Sequence, residues 1–332
     1  MKDQNYEGIN VNDLTVGMYV ILPLSWHEHP FVKNQFIIKS DSDIDKIKSL
    51  GLKEIRMDPS RSVKCGKQIV EEDIQPPASV EDGKEQKRIH DELTAVIQDQ
   101  ALPSERKALL VQGHSIRMMK NLLDNPSSEN IREAKKGISA IVNLILNDND
   151  TLRYLANITS HDYYTYTHSV QVGILSVALA KSLFRDSKRH DLYALGAGFF
   201  LHDLGKVGIN KDIINKPGKL TDDEMRDMRR HPALGYKLLY ETGQLTEESR
   251  IIVLQHHERI DGTGYPKGIC GSEIHIYGKI CTIADVYDAL TTDRPYRKKM
   301  MPYEALRLMR DEMMNHFQKN LFEAFIMLFR TS

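Results

Sequence analysis

Cysteine is scarce in this chain: Cys65, Cys270 and Cys281 are the only three in 332 residues, with no CxxC spacing and an odd total. That excludes a disulfide framework and a thiolate zinc site, and it fits a reducing cytoplasm. Charge of one sign is also lacking, since 45 basic and 46 acidic residues leave a formal net charge of −1. A general nucleic-acid binder would carry a basic excess over a whole face, so no DNA partner is expected and any anionic ligand must be met locally. Long apolar runs are missing too, because none approaches the roughly 18 residues of a membrane span. The N-terminal MKDQNYEGINVNDL has no basic stretch leading into an apolar core. A cytoplasmic protein with no membrane partner is expected.

What is present divides the chain. Apolar content of 41% in 332 residues suffices for more than one core. Between Ile9 and about Asp58 the apolar runs, Val16 to Leu22 and Gln35 to Ile38, are short and strand-like. One helix interrupts them over Ser42 to Leu50, with Asp41 or Ser42 as its cap and Gly51 as its stop. This is a small α+β domain, residues 1–75. Pro59 to Lys87 turns polar, with Pro76-Pro77 and acidic residues, and reads as the linker. After about Lys87 the period is helical throughout, as in Leu93, Val96 and Ile97 and again in Ile138, Ile141, Val142 and Ile145. The fold class is therefore mainly α. Residues 76–125 form the linker and connector helices, expected to pack on the catalytic bundle or on a second copy of the chain, and residues 126–332 form an all-α catalytic domain.

Chemistry concentrates in that last domain. His168, His202-Asp203, His231, His256-His257 and Asp285 are spread over several predicted helices, and such a density of imidazole and carboxylate reads as a site for two metal ions doing hydrolytic phosphate chemistry. His202 and Asp203 are placed in the last turn of an apolar helix, Asp191 to Leu204, closed by Gly205 as a left-handed cap. A lone His-Asp dipeptide is common and would read as a buried histidine and a capping aspartate. Its company decides otherwise. His231 precedes Pro232 at a helix start, behind a capping box at Thr221 and Glu224. Ile251 to Leu254 delivers His256 and His257 to a helix end, where two histidines are costly unless ligated or hydrogen bonded. Asp285 sits inside the apolar run KICTIADVYDAL, so it must be paired or bound.

The ordered motifs resemble the HD-GYP family over about Thr151 to Phe329. They are Tyr164-Thr165-x-x-His168-Ser169, His202-Asp203-Leu204-Gly205-Lys206, Lys216-Pro217-Gly218-Lys219, His231-Pro232, His256-His257-Glu258-Arg259-x-Asp261-Gly262-x-Gly264-Tyr265-Pro266, Ala284-Asp285-Val286-Tyr287-Asp288 and Arg294-Pro295-Tyr296-Arg297. The resemblance implies an HD-type helical phosphodiesterase acting on cyclic di-GMP with two divalent ions, iron or alternatively manganese. It implies that His168, His202, Asp203 and Asp285 hold one ion, that Asp203 bridges, and that His231, His256 and His257 hold the other. Where some members carry a glutamate four residues before the first histidine, this chain has Tyr164, so two ions are expected and not three.

Roles for the neighbours follow. A hydroxide shared by the ions is the expected nucleophile, with Lys206 stabilising charge on phosphate. Arg294 and Arg297, one helical turn apart, are expected to clamp the second phosphate or a guanine edge. Asp288 is expected to contact guanine, orient Lys206 or support a ligand, and Tyr265 to offer a stacking face. The products are expected to be pGpG and possibly GMP. The alternatives are a cyclic di-GMP receptor with slow or no hydrolysis, or a hydrolase of another cyclic dinucleotide. Where the family has an Asp-Pro pair after a phenylalanine, Phe317 is followed here by Gln318-Lys319, so a weakly capped last helix is expected. The N-terminal domain resembles a small uncharacterised domain often found ahead of HD-GYP domains. His27 and His29 there, beside Trp26, read as surface histidines. A homodimer or a signalling partner would use that domain or the connector helices.

Overall fold

The structure, a computed structural model, describes residues 7–23, 35–38, 40–59, 62, 82–158, 165–185, 187, 189–293 and 298–329. Tyr164, Arg294, Arg297, Trp26, His27, His29 and Cys65 lie outside them. The chain divides into two compact units, Met1–Pro76 and Pro77–Ser332.

In the first unit, β1 (Glu7–Asn10), β2 (Tyr19–Ile21), β3 (Gln35–Ile37) and β4 (Glu54–Met57) form an antiparallel sheet in the order β1-β4-β2-β3. Helix α1 (Asp41–Ser49) brings Ile44 and Ile47 onto a core made with Val11, Leu14, Val20, Leu22, Ile38 and Ile55. Its cap is Ser40, whose hydroxyl accepts from Asp43 N–H at 3.3 Å, and not Asp41 or Ser42 as expected. Ser40 is the last residue with extended backbone, and only there can the oxygen reach the open N–H. Gly51 does stop the chain there, at φ +70°, where a side chain would be strained.

The second unit is helical. It opens with α2 (Asp82–Gln98), α3 (Ser104–Asp124), α4 (Ser128–Asn147) and α5 (Asn149–Asn157). The helical pattern was expected only from about Lys87, but α2 begins five residues earlier because a polar residue faces the core. The Gln86 amide is fully buried, donating to Met118 O at 3.3 Å and accepting from Asn121 Nδ2 at 2.6 Å. Both groups are satisfied, so the position is tolerated, and apolar periodicity cannot see it. Ile89 and Leu93 of α2 and Val111, Met118 and Met119 of α3 lie in the same apolar core as α4 and α5, so the connector helices pack on the bundle.

Helix α6 (Thr165–Phe184) is apolar all round and buried from Thr167 to Lys181, which makes it the axis of the unit. Around it stand α7 (Leu192–Phe200), α12 (Ile276–Thr291) and α14 (Lys319–Met327). Short helices α8 (Lys211–Ile214) and α9 (Asp222–Met228) lead to α10 (His231–Glu241) and α11 (Glu247–Gln255), with α13 (Pro302–Glu312) near the end. The expected capping box at Thr221 and Glu224 is formed at the start of α9. The last helix starts at Gln318 with no side-chain cap bond. No helix among the described residues is long and apolar enough to cross a membrane.

Candidate metal centre

Four helices deliver the ligand residues to one point. His168 is in the first turn of α6, His231 opens α10 with Pro232 behind it, His256 ends α11 with His257 next, and Asp285 lies mid-way along α12. His202 and Asp203 arrive differently from expectation. Helix α7 ends at Phe200, the pair occupies the turn that follows, and a 3-10 segment runs over Leu204–Gly208. Gly205 is not left-handed. A Cβ there would fall 1.9 Å from His231 O and 2.3 Å from Gly235 N, so the glycine serves the close approach of this segment to α10. The backbone contact sets Asp203 against His231.

The seven side chains form two groups whose ligand atoms lie within 4.8 Å of one another: His168, His202 and Asp285, and Asp203, His231, His256 and His257. Asp203 faces both. Its Oδ1 lies 3.2 Å from His231 Nε2 and 3.7 Å from His256 Nε2, while Oδ2 lies 3.5 Å from His202 Nε2 and 3.6 Å from His168 Nε2. His168 Nε2 is also 3.0 Å from Asp285 Oδ1, and His257 Nδ1 is 3.4 Å from Asp285 Oδ2.

Outer contacts dictate the tautomers. Nδ1 of His202 is 2.8 Å from Phe199 O, that of His231 is 2.7 Å from Met228 O, and that of His256 is 2.9 Å from Val253 O. A carbonyl only accepts, so each Nδ1 carries the hydrogen and each Nε2 turns a lone pair inward. His231 Nε2 and His256 Nε2 then face one another at 3.1 Å. Two lone pairs at that distance repel unless a cation lies between them. His202 Nε2 and Asp203 Oδ1 are buried without a hydrogen-bond partner, the signature of a site whose remaining partner is a metal. The residues fit divalent ions.

The same burial sets the protonation. Desolvation pushes the His202 imidazole down to about 4 and that of His231 down to about 3, and it holds His257 well below its ordinary value, so these rings are neutral ligands at neutral pH. Burial alone would raise the Asp203 and Asp285 carboxyls. Lys206 and the imidazoles outweigh it at Asp203, and His168 and His257 do so at Asp285, so both stay ionised.

The residues around the ligands take these places. Lys206 Nζ lies 2.5 Å from Asp203 Oδ2. Asp288 is buried: Oδ2 accepts from His168 Nδ1 at 2.7 Å and Oδ1 from Thr292 Oγ1 at 3.2 Å. Of the uses open to it from sequence, these contacts favour support of His168, since the carboxylate is buried and one oxygen accepts the His168 hydrogen. Asp288→Ala is expected to lower metal affinity or turnover about 10- to 100-fold. Metal content and turnover measured on the same sample check this, and unchanged values for both would rule the support role out.

Tyr265 stacks on His257 with ring centroids 4.5 Å apart and planes at 28°, and burial keeps its phenol protonated far above the ordinary range. One face is thus spent on a ligand. The Arg229 guanidinium lies 5.4 Å from the ring centroid. The loop is packed onto the histidines: a Cβ on Gly264 would come within 2.5 Å of Arg259 N and His257 O.

Sequence reasoning gave no role to three residues that build this site. Glu258 is buried and accepts Lys267 N–H at 2.8 Å, which ties the loop down. Thr282 Oγ1 donates to His256 O at 2.9 Å and so pins the end of α11. Arg229 is the third. An acid directly after two histidines was a visible signal for Glu258, but a threonine on another helix and one arginine among several carry none.

Comparison with known proteins agrees with this geometry. The family profile of the HD domain matches residues 152–321, and a domain of unknown function (DUF3391) matches residues 7–152. A cyclic di-GMP phosphodiesterase of Pseudomonas aeruginosa is 34% identical over 324 residues, 96% of this chain and 75% of that protein. The cyclic di-GMP phosphodiesterase response regulator RpfG of Xanthomonas campestris is 48% identical over 99 residues, 30% of this chain and 26% of that one. A 3'3'-cGAMP-specific phosphodiesterase of Vibrio cholerae is 36% identical over 161 residues, 48% of this chain and 34% of that one. Among solved structures, an HDG"Y"P protein from Bdellovibrio bacteriovorus superposes with a TM-score of 0.62 at 18% identity, covering 97% of this chain and 98% of that one. The chain therefore belongs to the HD-GYP branch of the HD-domain family, the cyclic di-GMP phosphodiesterases.

Proposed function

We propose that the protein hydrolyses cyclic di-GMP to linear pGpG, and possibly on to GMP, at a binuclear site. The observation that carries this reading is the Asp203 carboxylate, whose two oxygens face two separate groups of imidazoles. Two divalent ions held there, iron or manganese, would supply an activated water and polarise the phosphoryl group. His168, His202 and Asp285 hold one, His231, His256 and His257 the other, and Asp203 both. The protein's own groups do the rest. Asp288 keeps His168 in the liganding tautomer, Lys206 meets the charge that grows on phosphate, and Tyr265 shields one face of His257 from water. Arg294 and Arg297 complete the substrate contacts from the segment after α12.

The test is chromatography of the products together with metal analysis of protein purified without oxygen. Two ions per chain and pGpG as product are expected, and a content near three would contradict the reading of Tyr164. Binding of cyclic di-GMP with no product over hours would favour a receptor. A second substrate stays in view, because relatives named for 3'3'-cGAMP match this chain at 35–37% identity. Faster cleavage of the mixed dinucleotide in the same assay would select it. The protein is expected to work in the cytoplasm, with any homodimer or signalling partner docking on the N-terminal unit or on α2 and α3.

A further inference from the structure

Three arginines stand at the junction of α9 and α10, and two of them are paired. Arg226 reaches Asp223 at 2.9 Å and Arg230 reaches Asp227 at 3.2 Å. Arg229 is exposed, and no carboxylate pairs with it among the described residues. It lies instead with its guanidinium carbon 5.4 Å from the centroid of Tyr265, whose ring stacks on the ligand His257 at 4.5 Å and meets that of His231 edge-on at 6.2 Å. A guanidinium held over an aromatic ring by cation–π attraction spends none of its N–H donors on that contact, which leaves them available to an anion. Within the ligand cluster the one lysine, Lys206, is already 2.5 Å from Asp203.

We infer that Arg229 binds the phosphate of the substrate that is not being cleaved. The inference rests on the phosphodiesterase reading: a cyclic dinucleotide carries two phosphates, and when one lies on the ligand groups the other sits towards the rim. Arg229 caps α9 two residues before the ligand His231, so the short turn between α9 and α10 keeps this cation near the reacting centre. It approaches over the Tyr265 ring. Truncating it removes a charge-assisted contact made alike in ground and transition states, which raises KM and leaves kcat near its original value.

The experiment compares Arg229→Ala with wild type on cyclic di-GMP and on bis(p-nitrophenyl) phosphate, a diester with no second phosphate. A rise in KM of about tenfold for the dinucleotide is expected, with kcat within about twofold and kcat/KM for the simple diester unchanged. Calorimetric binding of a slowly cleaved phosphorothioate analogue of cyclic di-GMP should weaken by the same factor. Arg229→Lys should recover part of the loss, and Arg226→Ala, which breaks a solvent-exposed pair, should change nothing. A fall in kcat on both substrates would mean that Arg229 only holds Tyr265 against His257, and this overturns the inference. Unchanged KM and affinity overturn it as well. Wild-type protein inert towards cyclic dinucleotides would overturn the phosphodiesterase reading itself, a result distinct from an active enzyme indifferent to Arg229.

Discussion

The His202→Ala, Asp203→Ala double variant is expected to lose turnover on cyclic di-GMP by roughly a thousandfold or more. At about 1.4 kcal/mol per factor of ten, that corresponds to several kcal/mol of transition-state stabilisation, the scale on which bound ions act. The physical reason lies in Asp203. Its Oδ1 faces His231 and His256 and its Oδ2 faces His168 and His202, at 3.2–3.7 Å, so it meets four of the five imidazoles, whereas Asp285 meets only His168 and His257. Removing it separates the groups, and removing His202 takes away an imidazole whose inward Nε2 has no protein partner. Metal content should fall with activity, while helical circular dichroism should hold, because the apolar core on α6 is untouched. A variant with full metal content and wild-type turnover would refute the assignment.

The second large effect is acid sensitivity of the metal-free protein. In the unfolded chain a histidine takes up its proton near 6.5, whereas in the fold His202 waits until about 4 and His231 until about 3. Over that interval the unfolded chain binds more protons than the native one, so stability falls as pH falls. Above 6.5 neither state binds and the contribution is flat, and below the folded values the loss is complete. The two rings together withdraw on the order of 8 kcal/mol, comparable with the ~5–15 kcal/mol that holds a typical domain together. Asp203 and Asp285 act in the same sense further down. Their carboxyls are held below the ordinary 3.8, so the stability they contribute is present above it and is lost as pH drops past it. Thermal unfolding followed from pH 7 to pH 4 should show a flat region and then a steep fall in Tm. Bound metal should delay the fall, since ions and protons compete for the same Nε2 atoms. A Tm independent of pH across that range would show that the imidazoles are not buried in this way.

Much of the architecture was legible because it rests on local pattern. Helical periodicity placed α2, α3 and α4, apolar runs placed α11 and α12, and short apolar runs placed β2 and β3 of the first unit. Two of the misreadings share one origin. Gln86 faces the core through two satisfied hydrogen bonds, and Gly205 serves a contact with α10 and not a turn of its own. In both cases the deciding partner is distant in the chain, and no period of 2.0 or 3.6 reports it.

The sequence by itself determined which atoms are available: five imidazoles and two carboxylates at helix ends and on an apolar helix, where burial without a partner is too costly to be accidental. Tertiary structure alone decided how they are divided and tuned. The carboxylate of Asp288 chooses the His168 tautomer, imidazoles from other helices help keep Asp203 ionised, and Arg229 reaches Tyr265 from a distant segment. These are interactions of a few ångströms between residues up to 120 positions apart, and only packing brings them together.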